Sequence, residues 1–157
     1  MDGRRICVAK RTIGVNYLFT DPLGDCSPGD KRIYASILVL VASADGELVR
    51  EEFCAIEALM GRILIHPEAR IDIRNLLNDP PDLDELLMTI DSSLIKFVLR
   101  DAALVAAVDG AYDAAELKVI KRLATAAGVE DSTLKEIFDW VNSGLAWHHQ
   151  SLDILGL

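Results

Sequence analysis

The sequence is poor in aromatics, in paired cysteines and in positive charge, and each shortage closes off a class of function. Phe, Trp and Tyr make up 6% of the 157 residues, against 51% apolar residues in all. A core must therefore come mostly from Leu, Ile, Val and Ala, at a length that suits one ordinary domain. Gly and Pro number only 10 and 5, which fits helices better than a turn-rich β sandwich. Sixteen Lys and Arg stand against 25 Asp and Glu, for a net charge of −9. Nucleic acid is a poor partner for such a chain, because phosphate binding needs clustered bases. An acidic surface suits cations, basic proteins or plain solubility.

Cys7, Cys26 and Cys54 are far apart and form no Cys-x-x-Cys, so neither a structural zinc site nor a redox pair is indicated. A reducing, cytoplasmic setting is the expectation. The apolar, uncharged run 33–44 has 12 residues, too few to span a bilayer, so the chain is not expected to cross a membrane itself. The basic start (Arg4, Arg5, Lys10, Arg11) leads into no apolar segment or cleavage site, and no secretion signal is expected. There is no Gly-x-Ser-x-Gly, no Gly-rich loop with Lys-Ser/Thr and no Glu-x-x-His. Nucleophile elbows, phosphate loops and di-iron bundles are thereby excluded, and no enzymatic activity is expected.

What is present is a repetition. Leu40-Val41-Ala42-Ser43-Ala44-Asp45-Gly46 is followed by Glu52, and 64 residues later Leu104-Val105-Ala106-Ala107-Val108-Asp109-Gly110 is followed by Glu116 at the same distance. The register continues, with Ile56 matching Ile120 and Leu59 matching Leu123. Apolar matches follow from a common need for core. The paired Asp-Gly and Glu do not, which makes them the best functional lead.

Periodicity places these motifs on helices. Residues 1–30 read as an irregular N-terminal extension, with short β-prone stretches at 6–8 and 15–20 and turn formers around Pro22, Pro28 and Gly29. From 31 onward the pattern is helical: a buried helix over 31–43, a second over 49–65 with Phe53, Ile56, Leu59, Met60, Ile63 and Leu64 on one stripe, and a short one opened by Pro67. Pro80-Pro81 breaks the chain, and Asp82 caps a helix through Ile90. The plan then recurs, with a buried helix over 93–108 and an Asp113-x-x-Glu116 capping box opening a helix that ends at Gly128. A last amphipathic helix starts at 131 or 132, with a break and restart at Gly144. The prediction is an all-α, compact bundle of six to eight helices over 31–157, built on a pseudo-twofold duplicated helical hairpin (repeats 31–65 and 93–128).

Each repeat thus sets an Asp past the end of a buried helix and a Glu in the first turn of the next. If the hairpins pack antiparallel, Asp45, Glu52, Asp109 and Glu116 approach one another, and such crowding needs a cation, protons or basic side chains. Carboxylate oxygens favour Ca²⁺, Mg²⁺ or Mn²⁺. An EF-hand is excluded, since its first and third ligand positions would be Val41 and Ser43, then Val105 and Ala107. The competing reading is structural. Asp45 and Asp109 satisfy turn amides, and Glu52 and Glu116 complete capping boxes and complement helix dipoles. Both readings stand on the residues alone.

At these residues the chain resembles the tellurite-resistance TerB-like family, whose hallmark is an Ala/Val-rich helix ending in Ala-Asp-Gly with Glu seven residues after the Asp. Ser43-Ala44-Asp45-Gly46-Glu47 with Glu52 is one match, and Val108-Asp109-Gly110 with Asp113 and Glu116 is the second. The resemblance covers about 31–145. It implies a cytoplasmic, non-enzymatic, all-α stress-response protein with metal binding through acidic residues. It also implies a protein partner, a membrane protein of the same resistance system among the candidates. Ala111 replaces the acid found at Glu47 in the first copy, so any site is asymmetric.

The remaining candidates favour packing roles. His66 before Pro67 reads as an exposed cap at a helix C-terminus. His148 and His149 beside Trp147 are of the type that binds soft or borderline metals, but adjacent residues on a helix diverge, which favours a surface or packing role. Trp140 and Trp147 are expected to pack on the body of the domain, the alternative being a homodimer or partner surface.

Overall fold

Helix starts in this chain are written in its caps. Ser27 Oγ accepts the amide of Asp30 at 3.1 Å, and Pro28 supplies a first helical residue with no amide to satisfy, so α1 spans Pro28–Ala42 rather than opening at 31. A computed structural model describes residues 21–157. Within them α1 is followed by α2 (Arg50–Arg62), α3 (Pro67–Asn75), α4 (Leu83–Thr89), α5 (Ile95–Val105), α6 (Ala114–Ala126) and α7 (Asp131–Leu155), preceded by a 3₁₀ turn at Pro22–Asp25. The architecture is all-helical, as expected, and no strand occurs among the described residues. The β-prone stretches at 6–8 and 15–20 lie outside the described residues. Leu23 and Cys26 do not belong to a loose extension: both are buried in the main core. No helix among the described residues is long and apolar enough to cross a membrane.

α1 and α5 form the centre. Tyr34, Ala35, Ile37, Leu38, Val39 and Val41 of α1 are buried, and so are Ile95, Val98, Leu99, Ala102 and Val105 of α5. The two helices pack on each other, α2 and α6 pack on both, and α3 covers α1 as α7 covers α5. Exchanging α1 with α5, α2 with α6 and α3 with α7 maps this set of contacts onto itself, the pattern that a pseudo-twofold arrangement of the repeats gives. The offset of the motifs holds through the third helix. α2 begins at Arg50 and α6 at Ala114, while α3 begins after His66 and α7 after Glu130. The repeat is therefore three helices long, one more than the hairpin read from the sequence, with α4 standing between the copies and packing on α1.

Three local features differ from expectation. His66 is the N-cap of α3, its Nδ1 accepting the Glu68 amide at 3.4 Å, and not a cap on α2. α7 runs unbroken through Gly144, because one interior Gly costs only about 1 kcal/mol, which flanking turns outweigh. Trp140 and Trp147 do not pack on the body: they are 60% and 64% exposed.

Candidate functional site: a carboxyl pair between the repeats

The two Asp-Gly turns are built alike. Gly46 and Gly110 each adopt φ +91°, a left-handed conformation that costs glycine nothing and any other residue a Cβ clash. Each glycine amide closes a turn at 3.1 Å, onto the carbonyl of Ser43 and of Ala107. Asp45 Oδ1 accepts the Glu47 amide at 2.9 Å, and Asp109 Oδ1 accepts the Ala111 amide at 3.0 Å. Both aspartates are exposed. The turn amides thus use one oxygen of each, as the structural reading expects, and leave the other toward solvent.

The glutamates are different: Glu52 is 6% exposed and Glu116 is 3% exposed. Each bends back to the residue before its own helix. Glu52 Oε2 accepts the Val49 amide at 3.0 Å, and Glu116 Oε2 accepts the Asp113 amide at 3.1 Å. In the second repeat Asp113 Oδ1 also caps the helix by accepting the Ala115 amide at 2.6 Å, and Asp113 with Glu116 forms a capping box. Val49 has no side-chain acceptor, so the first repeat makes only half of that arrangement.

Equivalent residues that touch must lie beside the axis relating them, and Glu52 and Glu116 touch. Glu116 Oε1 is buried and meets no protein donor. The Glu116 carboxyl as a whole lies within hydrogen-bond reach of the Glu52 carboxyl, and a bond between the two needs a proton on one of them. Burial first, then that hydrogen bond and the charges of Glu52 and Asp109, push the Glu116 carboxyl up to about 8, although the Asp113 amide pulls it down. At neutral pH the pair holds a proton, because two carboxylates this close cannot both ionise without compensation.

Of the four acids, then, the fold unites Glu52 with Glu116, leaves Asp109 within electrostatic reach of Glu116, and holds Asp45 in its own exposed turn. No three His, Cys, Asp or Glu side chains among the described residues converge as a metal-binding group. An ion at the pair fits the chemistry of the donors in one respect, since Glu116 Oε1 is an acceptor without a donor. Each glutamate has one oxygen committed to an amide, so the pair offers a cation one free oxygen from each side.

A second cluster went unread in the sequence. Asp101, 1% exposed in α5, accepts the Tyr34 hydroxyl at 2.7 Å, Arg62 at 3.0 Å, and Arg100 Nε at 2.8 Å. Asp21 joins through Arg100 at 2.8 Å and Arg62 at 3.3 Å, while capping the 3₁₀ turn at the Leu23 amide. Two acids and two guanidinium groups balance in charge. The network ties α1, α2 and α5 to the turn at Pro22–Asp25. Burial and the Asp101 charge raise the Tyr34 hydroxyl well above its ordinary value, so it stays a donor. One signal was available: Arg100-Asp101 is a charged pair in the middle of a helix whose only other charge is Lys96, near its start.

Compared with known proteins, the chain matches no protein-family model, no curated protein and no solved structure.

Proposed function

We propose that this is a non-enzymatic, TerB-like helical protein that takes up a divalent cation between its two repeats, at Glu52 and Glu116. The observation that carries this is the buried Glu116 Oε1, which meets no donor, on a carboxyl set beside that of Glu52. A cation there takes the place of the shared proton, with Asp109 adding negative charge from the turn. Two carboxylates with one free oxygen apiece suit Mg²⁺ or Mn²⁺, which keep several waters, better than Ca²⁺, which takes about six to eight oxygen ligands. The resemblance of Ala44-Asp45-Gly46 and Val108-Asp109-Gly110 to the TerB-like hallmark supports a cytoplasmic stress-response role of the tellurite-resistance kind, beside a protein partner.

Titration calorimetry with Mg²⁺, Mn²⁺, Ca²⁺ and Zn²⁺ tests this. Wild type is expected to bind, with about one proton released per ion near pH 7, and Glu116→Gln to lose the heat. An ion that binds only the folded state also raises the melting temperature by mass action. Absence of heat and of thermal shift with all four ions would overturn the cation reading. The remaining alternative is a helical protein-interaction module whose acids only cap helices. Specific observations favour it: every one of the four acids accepts a backbone amide beside its own helix or turn.

A further inference from the structure

α7 leaves the body of the protein. Leu134 and Val141 are its buried residues, Leu145 is half-buried, and every residue from Ala146 to Leu157 is exposed. The free part is not polar. Trp140, Trp147 and Ile154 recur at a spacing of seven, which on a helix makes one stripe, and Ile154 is 84% exposed. Between them on the same stripe stand Gly144 and Ser151, each four residues after a Trp. A Cβ at Gly144 would meet nothing within 4 Å, so nothing among the described residues calls for a glycine there. A helix interior gives up stability for such a residue where another backbone comes close.

We propose that this stripe is the contact between two copies of the chain, with the C-terminal halves of α7 crossing antiparallel about a twofold axis between Leu145 and Ala146. In that register each tryptophan finds a small residue. Trp147 of one protomer covers Gly144 of the other, and Trp140 covers Ser151. Ile154 then reaches Ile137, at the edge of a groove of about 400 Å³ between α5 and α7 that Phe97, Ile137 and Trp140 line. Self-complementarity of this kind is what a closed twofold interface requires.

Charge and area both select a second copy. In a chain of net charge −9, residues 140–157 contain a single acid, Asp153, and no Lys or Arg. Two copies meet here without like-charge repulsion, whereas a basic partner or an anionic membrane finds nothing to pair with. The exposed parts of Trp140, Trp147, Ile154, Leu155 and Leu157 amount to roughly 700 Å², close to the 800 Å² or so each partner contributes to a standard stable interface. Trp at the centre is the residue type that dominates such contacts. The inference is independent of the cation reading.

The test is sedimentation equilibrium of the full chain across the micromolar range, with tryptophan fluorescence followed on dilution. Trp140 and Trp147 are the only tryptophans, so emission reports on the contact alone. Wild type is expected to dimerise, with emission shifting to the red as it dissociates. Trp147→Ala is expected to weaken association about thirtyfold. Gly144→Leu is the sharper variant: the monomer has room for it and should keep its helical circular dichroism, while dimerisation is lost. A monomeric wild type across the range overturns the proposal, as does a dimer that both substitutions leave unchanged.

Discussion

The two hairpins start alike and finish differently. Their turns share a glycine φ of +91° and a first-turn glutamate drawn back onto the preceding amide. At the far end, α6 stops with Gly128 at φ +63°, where the second repeat uses the residue made for that conformation. The equivalent position after α2 is Leu64, at φ +59° and 74% exposed. Both helices close with the same long-range bond, Ile65 N–H to the Met60 carbonyl and Val129 N–H to the Ala124 carbonyl. The left-handed turn is thus imposed by how the third helix must leave, and the first repeat bears its cost in a residue unsuited to it. The centres diverge too. α5 carries Asp101 where α1 carries Ile37, and only the second repeat nucleates the buried ionic network. Shared geometry marks what the axis demands, and divergence marks what each half does for the rest of the molecule.

The largest expected effect comes from removing the difference at the centre. Asp101→Ala leaves Arg62, Arg100 and the Tyr34 hydroxyl without their common acceptor, and should cost about 3–5 kcal/mol. Urea denaturation would show it; a loss under about 1 kcal/mol would mean that the network is solvated and idle.

A smaller effect, with a pH signature, is expected where the repeats meet. The Glu116 carboxyl is pushed up to about 8, from an ordinary value of 4.5. Its contribution to stability is therefore complete below about 4.5 and lost as the pH rises through about 8. Glu116→Gln donates to Glu52 at every pH. It should match wild type near pH 5 and exceed it at pH 8 to 9 by about 1–3 kcal/mol. Glu52→Gln should behave the same way if the proton is common to both repeats. A stability difference that does not change with pH would refute the shared proton.

The smallest effect sharpens the contrast at the hairpin ends. Leu64→Gly gives the first repeat the residue of the second and should raise stability by up to about 1 kcal/mol. Gly128→Leu should lower it by about 1–2 kcal/mol. Paired thermal melts would expose an error directly, as equal and opposite shifts are not expected from two tolerant sites.

The helical plan and the symmetry were legible because Asp-Gly-x5-Glu recurs in polar positions where core packing imposes nothing. Helix ends were legible where a cap names them, as at Asp113 and Asp82, and displaced where the cap lay further upstream, as at Ser27. The expected cluster of four acids resolves into a touching pair and two turn residues. Helical phase indicates which side chains share a face, yet it carries no distance across an axis between segments far apart in the chain. Asp101 was hidden for the same reason. Its partners Tyr34 and Arg62 lie 67 and 39 residues away, and no local pattern announces them. The tryptophans were misjudged because a heptad stripe looks the same whether the body of the protein or open water lies beneath it.

Glu52 and Glu116 sit where the two halves of the molecule face their own reflection. Elsewhere a change in one repeat leaves its counterpart untouched, which is how an isoleucine and an aspartate come to occupy matching places. At the axis that freedom ends. A substitution on either side alters the surroundings of both, so neither half can change there without consequence for the other.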